Sequence, residues 1–195
     1  MNSTPQVLPT PGTVVPGTVV PGRTCGTCTL CCKVVAVEEI AKPGGSWCRH
    51  CVPGKACSIY ETRYPSCRGF YCLWMTQSGL GPEWKPDRAR FALVRTENGR
   101  HLTACVDPGA PSNWRRSPYY ESLKRWAVEG ARRSPDLHLV DVMIGARWIA
   151  ILPDRDVDIG ILAPDEAIEV TTRMTGAGEV MEVRKVRRGP AGGKS

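Results

Sequence analysis

The chain has 195 residues, which suits one ordinary domain or a small metal-binding module joined to a second small unit. Its formal net charge is +7, but five basic residues and no acid lie in the last twelve positions, so the rest of the chain carries only +2. This distribution argues against an extended basic surface for nucleic acid. No segment approaches the roughly 18 apolar residues of a membrane span, so the sequence predicts no membrane partner.

Residues 1–24 contain five prolines, three glycines and one charged side chain, Arg23. The repeated Pro11-Gly-Thr-Val-Val and Pro16-Gly-Thr-Val-Val favour turns, and we predict a disordered tail here. The segment lacks the basic start and the uninterrupted apolar run of a secretory signal. We therefore expect a cytoplasmic location, where thiols stay reduced.

Nine of the ten cysteines lie between positions 25 and 72. Thiols at this density are disulfides, metal ligands or a redox centre, and the expected cytoplasmic location favours metal ligands. The predicted ligands are Cys25, Cys28, Cys31, Cys32, Cys48, Cys51, Cys57, Cys67 and Cys72. Metal would then supply much of the stability of this segment, because few large apolar residues are available for a core.

Two spacings in the cluster indicate particular cofactors. Cys25-x2-Cys28 and Cys48-x2-Cys51 form the double CxxC pattern of zinc sites, in which each turn brings two thiolates to one tetrahedral ion. Cys25-x2-Cys28-x2-Cys31 with a distant fourth cysteine is also a ligand pattern of iron–sulfur clusters. Since both cofactors bind thiolates, zinc and an iron–sulfur cluster remain alternatives.

The adjacent pair Cys31-Cys32 bears on the number of centres. Neighbouring side chains in an extended segment point to opposite faces, so these two thiols are not expected to bind one small ion together. Either they belong to two sites, or one of them packs in the core. Nine cysteines provide two sites of four ligands each, with one cysteine left over.

Two further residues are interpreted as lying outside the ligand set. His50 stands inside the second CxxC turn, where an imidazole could bind metal, but we favour a supporting role beside the thiolates or a position in water. Cys105 stands alone in an apolar-leaning segment, and we predict that it is a small buried side chain.

The cluster resembles a known family over roughly residues 25 to 75. The run Cys25-Gly-Thr-Cys-Thr-Leu-Cys-Cys, then Cys57-Ser-Ile-Tyr, then Pro65-Ser-Cys67-Arg, is similar to the CxxCxxCC, or YkgJ-type, cysteine cluster family. Its members are described as zinc- or iron-chelating proteins. The resemblance implies as ligands Cys25, Cys28, Cys31, Cys32, Cys57, Cys67 and Cys72, whereas Cys48 and Cys51 rest on spacing alone. A similar cluster occurs in flagellin lysine N-methylases, which implies methyl transfer as an alternative.

The remaining elements are predicted from hydrophobic periodicity and turn residues. A short helix is expected from near Cys28 towards Ile40, and Asn98-Gly99 indicates a hairpin between 91–96 and 101–106. Ser117-Pro118 is the expected start of the main helix, with the serine as its cap, and the helix should end between 130 and 133. The later strands are predicted at 137–144, 147–152, 157–162, 167–172 and 179–186.

These elements predict an α+β fold, in which a loop-rich, metal-stabilised cysteine module packs with a small sheet and one main helix. The predicted divisions are a Pro/Gly tail at 1–24, the cysteine module at 25–90, a small α+β unit at 91–183 and a basic disordered tail at 184–195. The second and third divisions are compatible with a single domain.

The sequence predicts a cytoplasmic protein that binds zinc or an iron–sulfur cluster through its cysteines. The first alternative is an iron–sulfur-dependent modifying enzyme of the lysine N-methylase type. The second is a zinc-stabilised interaction module, whose basic tail would contact nucleic acid phosphates or a protein. No recognition motif accompanies the basic residues of the tail, so a solubilising surface is the preferred interpretation there.

Overall fold

The computed structural model of the chain describes residues 6–8 (backbone only), 18–95, 101–132, 139–163, 165–175 and 178–187. Within these ranges the α-helices are α1 Cys31–Val34, α2 Pro65–Gly69, α3 Leu73–Thr76, α4 Pro86–Ala89 and α5 Tyr119–Ala131. Short 3₁₀ turns lie at Glu38–Ile40, Tyr60–Thr62, Pro82–Trp84 and Asn113–Arg115. None of the helices in the described ranges is long and apolar enough to cross a membrane.

The strands form three sheets. The main sheet has the order β4-β5-β6-β7-β8, from β4 Phe91–Arg95, β5 His101–Val106, β6 Leu139–Ile144, β7 Arg147–Ile151 and β8 Asp156–Ile161. A second sheet has the order β1-β9-β10, from β1 Gln6–Leu8, β9 Glu166–Thr175 and β10 Gly178–Arg187. A two-stranded ribbon pairs β2 Cys51–Val52 with β3 Ala56–Cys57. The α+β prediction is therefore confirmed.

The main sheet is mixed, with one parallel pair of strands and three antiparallel pairs. β4 pairs with β5 antiparallel, as predicted for a hairpin; the Asn98-Gly99 turn itself lies outside the described residues. β5 pairs with β6 parallel, because the chain between them returns to the same end of the sheet through α5. β6, β7 and β8 then follow as an antiparallel meander. The predicted later strands are confirmed, and β9 and β10 extend beyond their predicted bounds.

Apolar residues cover both faces of the main sheet. Side chains alternate between the two faces along a strand, so strands β4 to β7 each contribute to two core clusters, whereas β8 contributes to one. One face carries Leu93, Leu102, Val140 and Val142, which share a cluster with Trp84, Leu123 and Ala127. The other face carries Ala92, Val94, Cys105 and Met143, which share a cluster with Leu30, Val34, Cys72 and Met75 of the cysteine module. Ile168, Val170 and Met181 of the β9–β10 hairpin complete this second cluster.

The helix predicted from Cys28 towards Ile40 is much shorter than expected. It covers only Cys31–Val34, because the backbone of Val35 turns to an extended conformation (φ −93°, ψ 138°). Val37 then forms a β-bridge with Lys42 around a 3₁₀ turn. The β-branched valines of this segment favour extended backbone over helix, which is the physical reason for the early end.

The start of the main helix also differs from the prediction. α5 begins at Tyr119 with Pro118 at its cap position, and no side chain caps it, so the prediction of Ser117 as the cap is wrong. The backbone carbonyl of Arg116 instead accepts hydrogen bonds from the N–H groups of Tyr119 (2.9 Å) and Tyr120 (3.2 Å). The predicted end is confirmed, since α5 ends at Ala131.

Both predicted tails are shorter than expected. Residues 6–8 form strand β1 against β9, and the N–H of Val20 donates to the carbonyl of Met75 (2.8 Å). At the other end, Arg184, Lys185 and Arg187 belong to β10, where Lys185 lies opposite Ile168. These pairings satisfy backbone groups that a disordered tail would leave to water. Residues 188–195 lie outside the described residues.

A buried carboxylate fastens α1 to the main sheet. Asp107, directly after β5, is fully buried and accepts hydrogen bonds from Lys33 Nζ (2.6 Å), the N–H of Gly109 (2.8 Å) and Arg90. Burial acts to raise its pKa, but the hydrogen bonds and the two cations outweigh burial and lower it. Since Lys33 directly follows Cys32, this contact fixes the position of the cysteine module on the sheet.

The cysteine module also meets the sheet at a turn between β6 and β7. Gly45 has φ +87°, a conformation that favours glycine, and it lies against Gly145. A Cβ atom added to Gly45 would be 3.0 Å from the Cα of Gly145 and 3.0 Å from Pro108 Cγ. The two backbones can therefore approach only because position 45 lacks a side chain.

Replacing Asp107 by Asn should lower the free energy of unfolding by about 2 kcal/mol, because hydrogen bonds to two charged groups are lost from a buried position. Urea unfolding at neutral pH measures this change. The lowered pKa of Asp107 also means that its contribution is present above the pKa of an unfolded aspartate and is lost as the pH falls through the lower, folded pKa.

Asp158→Asn is the matched control. Asp158 also pairs with an arginine, Arg147, but both side chains are largely exposed, so this substitution should cause no measurable change. Equal destabilisation by the two substitutions would contradict the anchoring role of Asp107.

Candidate metal centre

All ten cysteines lie within the described residues, and all are free thiols. Cys25 is exposed, Cys72 and Cys105 are buried, and the others are half-buried. The nine clustered cysteines lie in four parts of the module. These parts are the segment 25–32 at the start of α1, the β2–β3 ribbon with the turn before it, helix α2, and the residue before α3. The chain therefore gathers thiols that are up to 47 positions apart in the sequence.

Both CxxC segments form tight turns. The N–H of Cys28 donates to the carbonyl of Cys25 (2.9 Å), and the N–H of Cys51 donates to the carbonyl of Cys48 (3.0 Å). A third hydrogen bond, from the N–H of Cys48 to the carbonyl of Cys32 (3.0 Å), joins the second turn to α1. The spacing argument for these turns is thus consistent with the backbone geometry.

Four cysteines form what we call the inner group: Cys25, Cys28, Cys31 and Cys72. A hydrogen bond to Cys32 and burial raise the pKa of Cys31, and the nearby thiols of Cys25 and Cys28 raise it further. Burial raises the pKa of Cys72 to about 11, and Cys25 and Cys28 act in the same direction. These mutual effects show that the four thiols are electrostatic neighbours, although Cys72 is 41 residues from Cys31.

Backbone N–H groups point at two sulfurs of the inner group. The sulfur of Cys28 accepts hydrogen bonds from the N–H groups of Leu30 and Asp87, and that of Cys72 accepts from those of Met75 and Trp74. Burial raises the pKa of both thiols, and these hydrogen bonds partly oppose it. Such donors stabilise a thiolate over a thiol, which is the form that binds metal.

A second set, the outer group, consists of Cys32, Cys48, Cys51 and Cys67. Hydrogen bonds from the thiols of Cys31 and Cys51 are the main causes that lower the pKa of Cys32 to about 6, and burial opposes them. Burial, followed by the interactions with Cys32, raises the pKa of Cys51 to about 11. Cys67 is likewise an electrostatic neighbour of Cys32 and Cys48.

Two polar side chains hold the segments of the outer group together. The hydroxyl of Thr29 donates to the sulfur of Cys51 and accepts from the N–H of Gly54 (2.9 Å), which ties the ribbon to the first CxxC segment. The carboxylate of Glu39 accepts from the N–H (3.0 Å) and the hydroxyl (2.8 Å) of Ser66 at the start of α2. Since Cys67 is the next residue, this contact fixes its position.

Lys42 places a positive charge beside the outer group. It is buried, and its ammonium group donates to the carbonyls of Lys33 (3.0 Å), Pro43 (3.0 Å) and Val35. Burial lowers its pKa, and charge on Cys48 and Cys32 acts in the opposite direction. The sequence analysis did not identify Lys42; its only signal was a lysine between apolar residues and a Pro-Gly turn.

The two adjacent thiols have partly different neighbours. Beyond their mutual hydrogen bond, Cys31 interacts with Cys25 and Cys28, whereas Cys32 interacts with Cys51 and also with Cys25. The pair lies in helix α1 and not in an extended segment, as the prediction assumed. Successive side chains on a helix are separated by about 100°.

The ninth clustered cysteine, Cys57, lies directly opposite Cys51 in the β2–β3 ribbon. Cross-strand partners of this kind share one face of a ribbon. Cys57 is therefore a fifth thiol at the edge of the outer group, and not an isolated residue.

The side chains themselves do not form a ready-made site. Across the described ranges, no three His, Cys, Asp or Glu side chains are arranged so that they could hold one metal ion. The thiols instead form hydrogen bonds with each other and with backbone N–H groups. Any metal site would thus require cysteines to change rotamer, which leaves the backbone in place.

The segment that carries three of the four cysteines of the outer group contains no buried residue. From Pro43 to Tyr71, every residue is exposed or half-buried, although Lys42 and Cys72 at its two ends are buried. The segment contains Cys48, Cys51, Cys57 and Cys67. Apart from Phe70 and Tyr71, which pack half-buried against the core cluster, its shape is maintained by hydrogen bonds and thiol contacts.

Arg23 is a residue whose role the sequence analysis missed. Its guanidinium group donates to the carbonyls of Gln77 (2.8 Å), Leu80 (2.6 Å), Ser78 (3.3 Å) and Trp74, and it stacks on the ring of Trp74 at 5.0 Å. Those carbonyls lie in and just after α3, which begins directly after Cys72. Arg23 thereby holds Cys25 and Cys28 next to Cys72. The available signal was that it is the only charge in the first 24 residues.

His50 and Cys105 are the two residues predicted to lie outside the ligand set, and their surroundings differ. His50 Nε2 lies 3.2 Å from the hydroxyl of Tyr64 and 3.3 Å from Arg49 Nε, so the ring contacts polar side chains beside the thiols. Cys105 is buried in β5, and burial raises the pKa of its thiol to about 12. The prediction that Cys105 is a small core residue is confirmed.

Two other surfaces bear on the alternative functions. A cleft of about 330 Å³ lies between α5, the sheet and the chain in and after α3, and its lining includes Leu93, Val140 and Trp126 as well as Leu73, the residue after Cys72. In the predicted basic tail, Arg184 pairs with Glu169 (2.5 Å), and Lys185 donates to the carbonyl of Ile161 (2.7 Å). These two cations therefore have partners within the chain.

Replacing Arg23 by Gln should detach the residues before Cys25 from α3, because a neutral amide cannot supply four hydrogen bonds to carbonyls. Amide hydrogen exchange at Val20, whose N–H bonds to Met75, should accelerate by at least about tenfold, since hydrogen bonds to a charged group contribute about 1.5–3 kcal/mol.

Arg115→Gln is the control for this experiment. Arg115 also stacks on a tryptophan, with its guanidinium carbon 4.0 Å from the centre of the Trp114 ring, but it lies away from α3. Its substitution should leave exchange at Val20 unchanged. Unchanged exchange at Val20 in Arg23→Gln would show that Arg23 does not hold this segment.

Comparisons of the chain with models of protein families, with curated proteins and with solved structures give no match. A function for this chain therefore has to be inferred from its own residues and their geometry.

Proposed function

We propose that this chain is a metal-binding protein whose cysteine module folds around zinc or an iron–sulfur cluster held by thiolates. The observation that carries the proposal is the stretch from Pro43 to Tyr71, which contains four cysteines and no buried residue. Ordering a backbone costs about 1–2 kcal/mol per residue, and burial of apolar surface normally offsets that cost. In this stretch only Phe70 and Tyr71 pack against the core, so most of the offset has to come from another source, and structural zinc contributes about 10–16 kcal/mol.

The donor set supports the same conclusion. Each of the two groups contributes four thiols, the number that zinc takes in structural sites and that a four-iron cluster takes from its protein. Backbone N–H groups at Cys28 and Cys72, and the ammonium group of Lys42 beside the outer group, compensate the negative charge of thiolates. A bound metal would supply folding energy and a fixed crosslink between α1, the ribbon, α2 and α3.

The residues that would hold the metal are the nine predicted cysteines, and not Cys105 or His50. The resemblance to the CxxCxxCC family supports seven of them, and the hydrogen bond between Cys48 and Cys32 supports adding the second CxxC turn. A cytoplasmic location would keep these thiols reduced and available.

Contacts of the described residues favour metal binding over the two alternatives. For a methyl-transfer enzyme, a substrate in the α5 cleft would meet a lining to which none of the nine clustered cysteines contributes a side chain. For a nucleic-acid-binding module, Arg184 and Lys185 would first have to leave their partners within the chain.

Protein purified anaerobically under reducing conditions should contain at least one zinc ion or several iron ions per chain, measured by elemental analysis. A brown protein with sulfide-to-iron absorption indicates the cluster, and a colourless one indicates zinc. Removing the metal with a chelator should make residues 43–71 the first site of proteolysis, while α5 and β6–β7 stay protected by their own core. Less than about half an equivalent of any transition metal, with the thiols paired as disulfides, would overturn the proposal.

Replacing Cys28 by Ser should sharply lower the metal content, because a hydroxyl is a poor substitute for a thiolate. Cys57→Ser and Cys67→Ser should also lower it. Cys105→Ser is the matched control: it makes the same chemical change in the sheet core and should leave the metal content unchanged. Loss of metal from Cys105→Ser but not from Cys28→Ser or Cys67→Ser would refute this choice of ligands.

A further inference from the structure

We infer that the surface of the cysteine module binds single-stranded nucleic acid through a strip of adjoining rings and cations. The strip consists of Arg49, His50, Tyr60, Arg63 and Tyr64. It contains none of the basic C-terminal residues and none of the nine predicted metal ligands. The inference goes beyond the proposed function, and it does not require that the thiols hold a metal.

The side chains of the strip form a continuous series of contacts. The guanidinium carbon of Arg63 lies 3.7 Å from the centre of the Tyr60 ring. The next residue, Tyr64, has its hydroxyl 3.2 Å from Nε2 of His50, and the centres of these two rings are 6.0 Å apart. Nε of Arg49 lies 3.3 Å from the same His50 nitrogen. Three rings and two guanidinium groups therefore follow one another across the module.

Hydrogen bonds to the backbone hold both halves of the strip in place. Nε of Arg63 donates to the carbonyl of Tyr60 (2.7 Å), which keeps the guanidinium group over the ring. The N–H of Ser58, two residues before Tyr60, donates to the carbonyl of His50 (2.8 Å) and ties one half of the strip to the other. Because these side chains are already positioned, binding a ligand would cost little additional conformational entropy.

The strip lies on a part of the chain that exposes large apolar side chains to solvent. Tyr60 is 53% exposed, and Arg49 is also exposed, whereas the other three residues of the strip are half-buried. Four large apolar residues of the described ranges are exposed, and three of them, Trp47, Val52 and Tyr60, belong to the Pro43–Tyr71 stretch. A ring of this kind, outside any core, is available to stack on the flat face of a ligand.

The charge of the same stretch fits a polyanion. Residues 43–71 contain four cations and one acid: Arg49, Lys55, Arg63, Arg68 and Glu61. The net charge of this stretch is therefore +3, whereas residues 1–183 as a whole carry only +2. Across the described residues, none of these four cations forms an ion pair with a carboxylate. Phosphate groups of a nucleic acid would supply the missing partners.

The combination of rings and cations favours a single strand over other polyanions. In a single strand the faces of the bases are open and can stack on aromatic side chains, whereas in a duplex they stack on each other. An acidic peptide would match the cations of the strip but would offer no flat rings for Tyr60. Since every base has a face on which a ring can stack, we expect binding without sequence preference.

Fluorescence anisotropy of short labelled oligo(U) and oligo(dT) measures binding to the full chain, purified under reducing conditions and kept at low salt. The two oligonucleotides distinguish RNA from DNA as the source of the strand, and binding of either supports the inference. Tyr60→Ala should weaken binding by about tenfold, because alanine removes a ring on which a base stacks. Tyr60→Phe keeps the ring and should bind as tightly as the unchanged chain.

Arg49→Gln tests the contacts to phosphate. Arg49 is preferred to Arg63 for this purpose, because Arg63 is also an electrostatic neighbour of Cys25. Loss of one phosphate contact should reduce the slope of log affinity against log salt concentration by about 0.7. Arg173→Gln is the matched control: it removes an exposed cation that pairs with Glu182 (3.0 Å) in the β9–β10 hairpin, and it should leave affinity and slope unchanged.

Four outcomes would overturn the inference: no binding of either strand, tighter binding of a duplex than of the single strands, full binding by Tyr60→Ala, or displacement of the strand by oligoglutamate as readily as by unlabelled oligo(U). The last result would indicate a surface that recognises charge alone, as on an acidic protein. Circular dichroism and metal content check that each variant keeps its fold. If the chain binds these strands but contains no metal, only the proposed function fails.

Discussion

The cysteine module depends on the attachment of α1 to the sheet. Leu30 and Val34 enter the same core cluster as the sheet strands, and Lys33 forms an ion pair with the fully buried Asp107. Because Cys31 and Cys32 lie between these anchored residues, the sheet fixes the position of one thiol in each group. The Arg23 contacts then bring the first CxxC turn against α3, and the hydrogen bond from Cys48 to Cys32 brings the second against α1.

The two parts of the chain obey different physical constraints. The sheet and α5 bury apolar residues on both faces of the strands, which is sufficient to order a domain of this size. The stretch from Pro43 to Tyr71 contains no buried residue, and only Phe70 and Tyr71 pack against the core. Hydrogen bonds from Gly54 to Thr29 and from Ser66 to Glu39 tie the stretch to the segment before it. Thiol chemistry is what remains to stabilise it, so the same residues that would bind metal would also determine the fold there.

Hydrophobic periodicity predicted the elements whose positions are determined by burial. The strands around Leu93, Leu102 and Val142 and the helix through Leu123 were predictable because each alternates or repeats with the core. Periodicity failed in two places, once for a local reason and once because a contact distant in sequence decides the backbone. The β-branched residues Val34 and Val35 end α1 early, and pairing with β9 turns residues 184–187 from a tail into a strand.

The sequence by itself determined which residues have metal-binding chemistry, because thiol density and CxxC spacing are local properties of the chain. It also determined that Cys105 stands apart. Only the tertiary structure decided which distant thiols lie near one another. Arg23 holds the segment of Cys25 and Cys28 against the chain after Cys72, and Glu39 binds Ser66, the residue before Cys67. These partners are separated by tens of residues, and hydrogen bonds between distant segments leave no periodic pattern from which the sequence could predict them.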